Sequence, residues 1–258
     1  MNRKLVANEL FKAFRLKKFY LFMILIGIVE VSNVLQYKAK GPEHIFLYPN
    51  GQSLAIQMVG GLPQIMVVFL AIFVADMMAD ELRHGTVKLT LLRQVGRREL
   101  LHAKIVSMFF FAAAMLLYTI VSSYVVGTAA FGWGDRTVFE GTSFPPAAGV
   151  YMTLQSALLS LLPYLGFGLL VLYIAIVTAN MGITIGVALG LMIIEPIFQH
   201  SDALVNYSII SQIYFFHLQF WKDFSPGKMI LSIAVICAYA AVFYLGSVSA
   251  FRRKDIAS

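Results

Sequence analysis

The polar segment at residues 76–104, DMMADELRHGTVKLTLLRQVGRRELLHAK, separates two long apolar runs and decides how the rest of the chain is organised. It carries six Lys or Arg and four Asp or Glu among its 29 residues. Short loops of membrane proteins that are rich in Lys and Arg lie in the cytoplasm. We therefore predict a cytoplasmic loop, whose leucines beside charged residues indicate contact with a partner surface.

Composition identifies the chain as a polytopic membrane protein. Its 258 residues are 59% hydrophobic and only 13% charged, whereas soluble domains carry about 25% charged residues. In lipid, a helical bundle satisfies every backbone polar group within its own segment. The sequence therefore predicts one all-α integral membrane domain over residues 1–258, with six transmembrane helices. Their apolar runs cover about residues 19–35, 55–75, 105–131, 152–177, 183–198 and 229–250.

The distribution of Lys and Arg predicts the orientation of these spans. Fifteen fall on the side that holds both termini and the 76–104 segment, and five fall on the other side. Because the side rich in Lys and Arg faces the cytoplasm, both termini are predicted to be cytoplasmic. The formal charge of +7 is then largely a topology signal. No nucleic-acid partner is predicted, because the basic residues form no separate basic domain.

Two further segments lie outside the spans. Residues 2–18 place Val6, Leu10, Ala13 and Phe14 at helical spacing, which predicts an amphipathic helix in the membrane interface. That helix is either a basic anchor that fixes topology or a mechanical element. Residues 199–228 are rich in aromatic residues and predict an extracellular interfacial or re-entrant helical pair. A plain interfacial aromatic belt is the alternative.

The 76–104 segment is predicted to contain a short helix of its own. Gly85-Thr86 interrupts the helix that continues from the second span, and Gly96 interrupts the chain again. Thr86 belongs to a residue type that caps helix N-termini, so a new helix is predicted at residues 87–94. It would lie parallel to the membrane and dock on a partner. The alternative is a solvated loop whose charges only enforce orientation.

Two acids and one glycine pattern lie within the apolar runs. Carboxylates inside a membrane are functional candidates, so Glu30 and Glu195 can line a substrate path, by carrying a proton or contacting a cation. Each is equally open to pairing with a Tyr or Ser, or to a position at a helix end exposed to lipid headgroups. For Glu195 we favour a structural role, because the proline that follows it marks a helix break. Small residues at four-residue spacing predict close helix packing, in the bundle or between protomers; they are Gly182, Gly186 and Gly190.

Motifs for catalysis and nucleotide binding are missing from the sequence. It contains no G-x-x-x-x-G-K-[ST] phosphate loop, no H-E-x-x-H and no G-x-S-x-G. The five His residues are scattered without ligand spacing. We therefore predict no catalytic residue, no metal site and no cofactor in this chain, and a protein that is not itself an enzyme.

Taken together, this layout resembles the permease subunit of type-2 ABC exporters. The resemblance covers nearly the whole chain, and its most specific part lies within residues 81–104. The family's motif is similar to the following residues here: Glu81, Gly85-Thr86, Leu91-Leu92, Arg97 or Arg98, and Lys104. The family often has a proline in the turn where this chain has the sequence QVG at residues 94–96.

The resemblance implies a transporter in the bacterial cell membrane that exports an amphipathic or hydrophobic substrate. The substrate would be a peptide antibiotic, a drug or a lipid-like molecule, which connects the chain to antibiotic resistance. Two copies of a separate ATPase subunit would bind ATP and Mg. A second permease copy would complete the complex, as a homodimer rather than a heterodimer. The coupling helix, about residues 81–94, would sit in a groove of the ATPase. The residues implied in this coupling are Glu81, Gly85, Thr86, Lys88, Leu91, Leu92, Arg93, Arg97 and Arg98.

Three other functions are compatible with the sequence. One is sodium extrusion by the same ABC architecture. Another is a lipid-modifying membrane enzyme, in which Glu30, Asp76 and Asp80 would be the site acids. The third is an ion-coupled secondary carrier, which is least favoured because we find no convincing internal repeat of broken helices.

Overall fold

The computed structural model describes residues 3–41, 50–92, 95–139, 141–201, 204–221 and 225–254, and these residues are mostly helical. The all-α prediction is confirmed. The helices are α1 Arg3–Arg15, α2 Lys17–Lys40, α3 Gly51–Gly61, α4 Pro63–Val74, α5 Glu81–Arg83, α6 Thr86–Leu91, α7 Arg97–Phe131, α8 Pro146–Thr178, α9 Met181–Gln199, α10 Ile209–Phe215 and α11 Pro226–Arg253. A π-helical turn, Ala75–Asp80, joins α4 to α5, and a 3-10 turn, His217–Phe220, follows α10.

Each predicted apolar run corresponds to helical structure, but not every one of these helices is long and apolar enough to count as a candidate span. Within the described residues, four helices are long and apolar enough to cross a membrane: α2, α7, α8 and α11. The bent pair Gly51–Gly61 and Pro63–Arg83 makes a fifth candidate if it is a single span. The apolar part of α9, Met181–Ile197, falls among the shorter apolar helices. The six-span arrangement therefore stays a prediction.

The chain divides into two compact units. One comprises Met1–Arg15, Gln64–Ala112 and Ser160–Ser258, and the other comprises Leu16–Pro63 and Ala113–Leu159. Helices α7 and α8 contribute residues to both. We call the unit that contains Met1–Arg15 the coupling unit and the unit that contains Leu16–Pro63 the groove unit.

In the groove unit, a small β-hairpin holds the start of α3. Strands β1 (Thr137–Phe139) and β2 (Thr142–Phe144) pair antiparallel, and Gly141 between them has a φ of +80°. The Ser53 hydroxyl accepts a 2.8 Å hydrogen bond from the amide of Val138. The amide of Gly134, which precedes the hairpin, donates to the Gln52 side chain at 2.8 Å. The sequence analysis missed this hairpin, because its three-residue strands are too short to show a clear alternation.

The coupling unit is packed through contacts of α7 and α8. The rings of Phe73 and Phe111 stack with their centroids 4.1 Å apart, which joins α4 to α7. Gly168 on α8 gives room to Met108 on α7, because a Cβ at Gly168 would lie within 3 Å of the Met108 thioether. In α10, the aliphatic residues Ile209, Ile210 and Ile213 are buried.

The glycines that the sequence singled out for packing do not pack within the described chain. A Cβ added at Gly186 or Gly190 would meet nothing within 4 Å, and one at Gly182 would meet only the Asn180 side chain. Gly182 and Gly186 are exposed. The prediction of close packing inside the bundle is therefore wrong for the described residues. Close approach uses other glycines, in particular Gly51 and Gly127.

We predict that Gly127→Ala destabilises the protein, because its new methyl group would lie 2.9 Å from the backbone of Gly51. Backbone atoms cannot rotate away, so overpacking should cost about 1–3 kcal/mol. Gly61→Ala is the matched control, because nothing lies within 4 Å of its Cβ position. The measurement is the unfolding midpoint of each purified variant in detergent micelles. Equal midpoints for the two variants would contradict the close approach of α3 and α7.

Candidate functional site

A buried lysine organises the end of the coupling unit where α7 begins. Lys104 has no exposed surface. Its ammonium group donates to Glu9 Oε2 at 3.1 Å, to Glu81 Oε2 at 2.7 Å and to the Met77 carbonyl at 2.7 Å. An ammonium group has three N–H donors, so every donor of Lys104 has a partner. Because α7 alone supplies none of them, burial of Lys104 requires the other segments to be in place.

A second lysine completes a network of alternating charges. Lys12 donates to Glu9 Oε1 at 2.7 Å and to Glu81 Oε1 at 3.2 Å. Each of the two carboxylates thus bridges the two ammonium groups, and the four formal charges cancel. We call Glu9, Lys12, Glu81 and Lys104 the ion network. It joins α1, α5 and the first turns of α7, which are far apart in the sequence.

The ion network determines which face of α1 is buried. The sequence analysis assigned the apolar face to Val6, Leu10, Ala13 and Phe14. The structure instead buries Leu5, Glu9 and Ala13, which recur every four residues along one side of the helix. The helix is therefore rotated from the predicted orientation, and its buried side includes a carboxylate. A charge in this position is stable only because Lys104 and Lys12 neutralise it.

The ionisation of Glu9 and Lys12 reflects this pairing. Burial raises the pKa of the Glu9 carboxyl, but Lys104 and Lys12 together outweigh burial and leave the pKa of Glu9 below its ordinary value. Burial lowers the pKa of Lys12, but Glu9 and Glu81 outweigh it and leave the pKa of Lys12 raised. Both groups are therefore held in their charged forms near neutral pH, as the network requires.

The π-helical turn Ala75–Asp80 lies against the ion network. The carbonyl of Met77, within this turn, accepts one of the three hydrogen bonds from Lys104. Single π-helical turns inserted in α-helices are frequent at functional sites. Here the turn brings α4 into contact with the network, which therefore connects four helical segments.

Helix α6 projects from this anchored region with two leucines exposed. Gly85, between α5 and α6, has a φ of +70°, a left-handed conformation that favours glycine. Val87 is fully buried and fixes one side of α6. Leu89 and Leu92 are 65% and 71% exposed. Leu89 lies within α6 and Leu92 is its C-cap residue with helical backbone angles, so the two side chains, three residues apart, lie on the same side.

The predicted coupling helix over residues 81–94 is not one continuous helix. Its first part, α5, ends at Arg83, and α6 covers Thr86–Leu91. Gly85, not Thr86, occupies the N-cap position of α6, so the predicted capping role of Thr86 is wrong. The Thr86 hydroxyl instead donates to the Glu81 carbonyl at 3.2 Å.

Cationic side chains also join three helix ends in the coupling unit. One nitrogen of Arg97 donates to the carbonyls of Phe251, Arg252 and Lys254, at 2.8–3.0 Å. The Lys254 ammonium in turn donates to the carbonyl of Ile176 and, at 3.0 Å, to that of Val177. Cations stabilise helix C-termini, whose last carbonyls have no partner within the helix. We call Arg97 and Lys254 the helix-end clamp, because they connect α7 to α11 and α11 to α8.

The structure gives the predicted coupling residues different surroundings. The side chains of Glu81 and Arg97 form contacts inside the chain. Lys88 and Arg98 are exposed, Leu91 is half-buried, and Arg93 lies outside the described residues. The sequence analysis missed Glu9, Lys12 and Lys254. For Glu9, the available signal was a carboxylate at four-residue spacing between Leu5 and Ala13.

The two acids within apolar helices also differ from each other. Both oxygens of Glu195 accept hydrogen bonds, from the hydroxyls of Ser208 (2.8 Å) and Ser211. Glu30 accepts at Oε1 from Ser122 (2.8 Å) and Ser123 (2.7 Å), whereas its Oε2 has no partner in the described residues. Pairing with serine, one of the alternatives left open by the sequence, is thus found at both acids. Serine hydroxyls satisfy both carboxylate oxygens at Glu195 but only one at Glu30, within the described residues.

Two of the acids proposed for a lipid-modifying enzyme lie close together in the sequence on one helical turn. Asp76 and Asp80 belong to the π-helical turn, and Asp80 pairs at 3.3 Å with His84, with both side chains largely exposed. In the ranges that the structure describes, no group of three His, Cys, Asp or Glu side chains has the arrangement of a metal site.

The chain matches the model of a known family. A family described as a protein of unknown function (DUF2705) matches residues 19–257, which is nearly the whole chain. No curated protein matches the chain.

We predict that Lys104→Met strongly destabilises the protein, because it leaves two carboxylates with only Lys12 to neutralise them. Removing one partner of a buried ion pair costs about 3–5 kcal/mol. The control is Asp80→Asn, which breaks an exposed pair worth about 0–1 kcal/mol. The measurement is the unfolding midpoint in detergent.

A double variant tests the cause of that loss. Lys104→Met combined with Glu81→Gln removes the uncompensated negative charge, so part of the lost stability should return. A double variant that is less stable than Lys104→Met alone would contradict the charge-balance explanation.

Proposed function

We propose that the chain, which belongs to the DUF2705 family of unknown function, is the membrane-embedded permease subunit of an ATP-driven ABC exporter. It would lie in a bacterial cell membrane as a multi-pass protein with both termini in the cytoplasm. The observation that carries the proposal is that the short helix α6 presents two exposed leucines, Leu89 and Leu92, and directly follows α5, whose Glu81 belongs to the ion network. This arrangement supports a docking element that moves together with the membrane helices.

The two ends of the loop have firm connections. On the N-terminal side, α6 follows α5, whose Glu81 accepts from both Lys12 and Lys104. On the C-terminal side, the loop leads into α7, whose Arg97 donates to the end of α11. A displacement of α6 would therefore reach α1, α4, α7 and α11 together.

Magnitudes support transmission of force through these connections. Burying an exposed leucine in a partner's groove contributes about 1.5–3 kcal/mol. Disrupting the ion network by separating Lys104 from its carboxylates costs about 3–5 kcal/mol. If a partner pulled on Leu89 or Leu92, its contact with the leucine would thus break before Glu81, which precedes α6, separated from Lys104 of α7.

The partner that fits this role is a soluble ATPase. Without a phosphate loop, the chain needs an external source of energy, and ATP with Mg would bind in the partner. Two permease copies and two ATPase copies would form the transporter. Closure of the ATPases on ATP would move α6, and the spans would switch between inward-open and outward-open states because each state makes different contacts with the ATPases. The substrate would be amphipathic or hydrophobic.

We predict that Leu89→Asp and Leu92→Asp each weaken association with the ATPase and leave the fold intact, because both side chains are exposed. Leu91 is unsuitable for this test, since it is half-buried. The control is Leu204→Asp, because Leu204 is 46% exposed in the segment predicted to lie outside the cell. The measurement is ATP hydrolysis that co-purifies with the tagged chain in mild detergent.

The expected result is a loss of about tenfold or more for the α6 variants, as burial of one leucine side chain implies, and no change for Leu204→Asp. Gel filtration of each variant reports whether the fold is retained. Co-purifying hydrolysis that is unchanged in both α6 variants would rule out α6 as the docking element.

A further inference from the structure

An open groove runs along α2 in the groove unit. It encloses about 710 Å³ and is bordered by α2 and by Tyr118, Ser122 and Val126 of α7. Its walls are mainly aliphatic and include Ile24, Ile28, Val31 and Leu35. Pockets for small ligands typically have volumes of ~300–1,000 Å³, mostly apolar walls and a few polar groups that fix orientation. The groove has these properties.

The polar group that distinguishes this groove is Glu30. Its side chain has no exposed surface, and its Oε1 already accepts from two serine hydroxyls. Its Oε2 has no hydrogen-bond partner within the described part of the chain. A buried polar atom without a partner is costly, and more so when it belongs to a charged group. The groove thus contains an acceptor that the chain itself does not satisfy.

Glu195 provides an internal comparison. It is also a carboxylate within an apolar helix, with 3% of its surface exposed. Ser208 and Ser211 satisfy one oxygen each, because they begin the neighbouring helix α10. The unsatisfied oxygen of Glu30 is therefore not a general property of the acids in this chain, and it coincides with a groove.

We propose that this groove binds an amphiphile with a single alkylammonium group, whose nitrogen donates to Glu30 Oε2 while its hydrocarbon chain lies along Val31 and Leu35, toward Lys40. A primary ammonium supplies both the positive charge and the N–H donor that the carboxylate needs. The aliphatic walls remove the chain of the ligand from water or lipid headgroups. Because Glu30 is covered, a wall side chain has to change rotamer before the ammonium reaches it, and such changes take picoseconds to nanoseconds for exposed side chains.

The charges of the groove select for one cation. Lys40 lines its far end, ten residues from Glu30, which corresponds to about 15 Å along a helix. A second positive group on the ligand would meet Lys40 and be repelled. An anionic headgroup at Glu30 would meet a carboxylate and be rejected. Binding of the amphiphile needs only this chain. That the bound amphiphile is also the transported substrate rests on the proposed function.

The test is equilibrium binding of radiolabelled dodecylammonium to the full chain in dodecyl maltoside micelles, without any ATPase. Glu30→Gln keeps the shape of the side chain and removes its charge, so affinity should fall about tenfold or more, as the loss of a charge-assisted hydrogen bond implies. The matched control is Glu195→Gln, which should bind like the unaltered protein. Gly27→Leu is a second variant, which fills the groove beside Tyr118 without altering the acid and should also weaken binding.

Competitors determine the ligand chemistry. Dodecanol and dodecyl sulfate have the same chain without the ammonium group and should displace the probe poorly. Phosphatidylethanolamine carries the same ammonium on a membrane lipid: competition by it would identify a lipid as the source, and its failure to compete would indicate a free amphiphile. Three results would each overturn the proposal. Glu30→Gln could bind the probe within twofold of the unaltered protein, or Glu195→Gln could lose as much affinity as Glu30→Gln. Dodecanol could also displace the probe as effectively as unlabelled dodecylammonium does. None of these results depends on whether an ATPase binds α6.

Discussion

The burial of the Lys104 ammonium group is the constraint on which the coupling unit depends. An ammonium without exposed surface is stable only when carboxylates neutralise it and acceptors satisfy its three N–H donors. Glu9, Glu81 and the Met77 carbonyl meet both conditions. Since these groups come from α1, α5 and the π-helical turn, one lysine fixes the positions of segments separated by up to 95 residues.

Pairing of a cation with groups that need a partner also explains the C-terminal ends of α8 and α11 in the coupling unit. Arg97 and Lys254 are cations placed where helices end and where carbonyls need donors. In the sequence they belong to the excess of positive residues that predicts orientation. In the structure they also form bonds between helices. The exposed leucines of α6 are thus presented from a framework that these cations help to hold together.

The sequence predicted the helices well, because long apolar runs have few alternatives in lipid. Pairing of Glu30 and Glu195 with serine was one of the alternatives that the sequence left open, and the structure shows it at both acids. It could not distinguish the two acids, because the outcome depends on tertiary contacts. The serines that satisfy Glu195 lie 13 and 16 residues away, whereas those at Glu30 lie 92 and 93 residues away on α7.

Other errors have similarly local physical causes. The rotation of α1 was missed because the predicted face was drawn through apolar residues alone, whereas a paired carboxylate, Glu9, can also be buried. The glycines of α9 do not pack within the described chain, and their close approach to a second protomer stays a prediction. The break of the predicted coupling helix at Gly85 was recognised, but the helical turn Glu81–Arg83 before it belongs with α4 and the π-helical turn rather than with α6.

The most direct test of the central claim is native mass spectrometry of the tagged chain, purified in mild detergent from the membrane of its own host. The account predicts a complex of two copies of this chain with two copies of a soluble ATPase, in the presence and in the absence of nucleotide. The account would be contradicted if the chain were detected without an ATPase subunit under every nucleotide and salt condition.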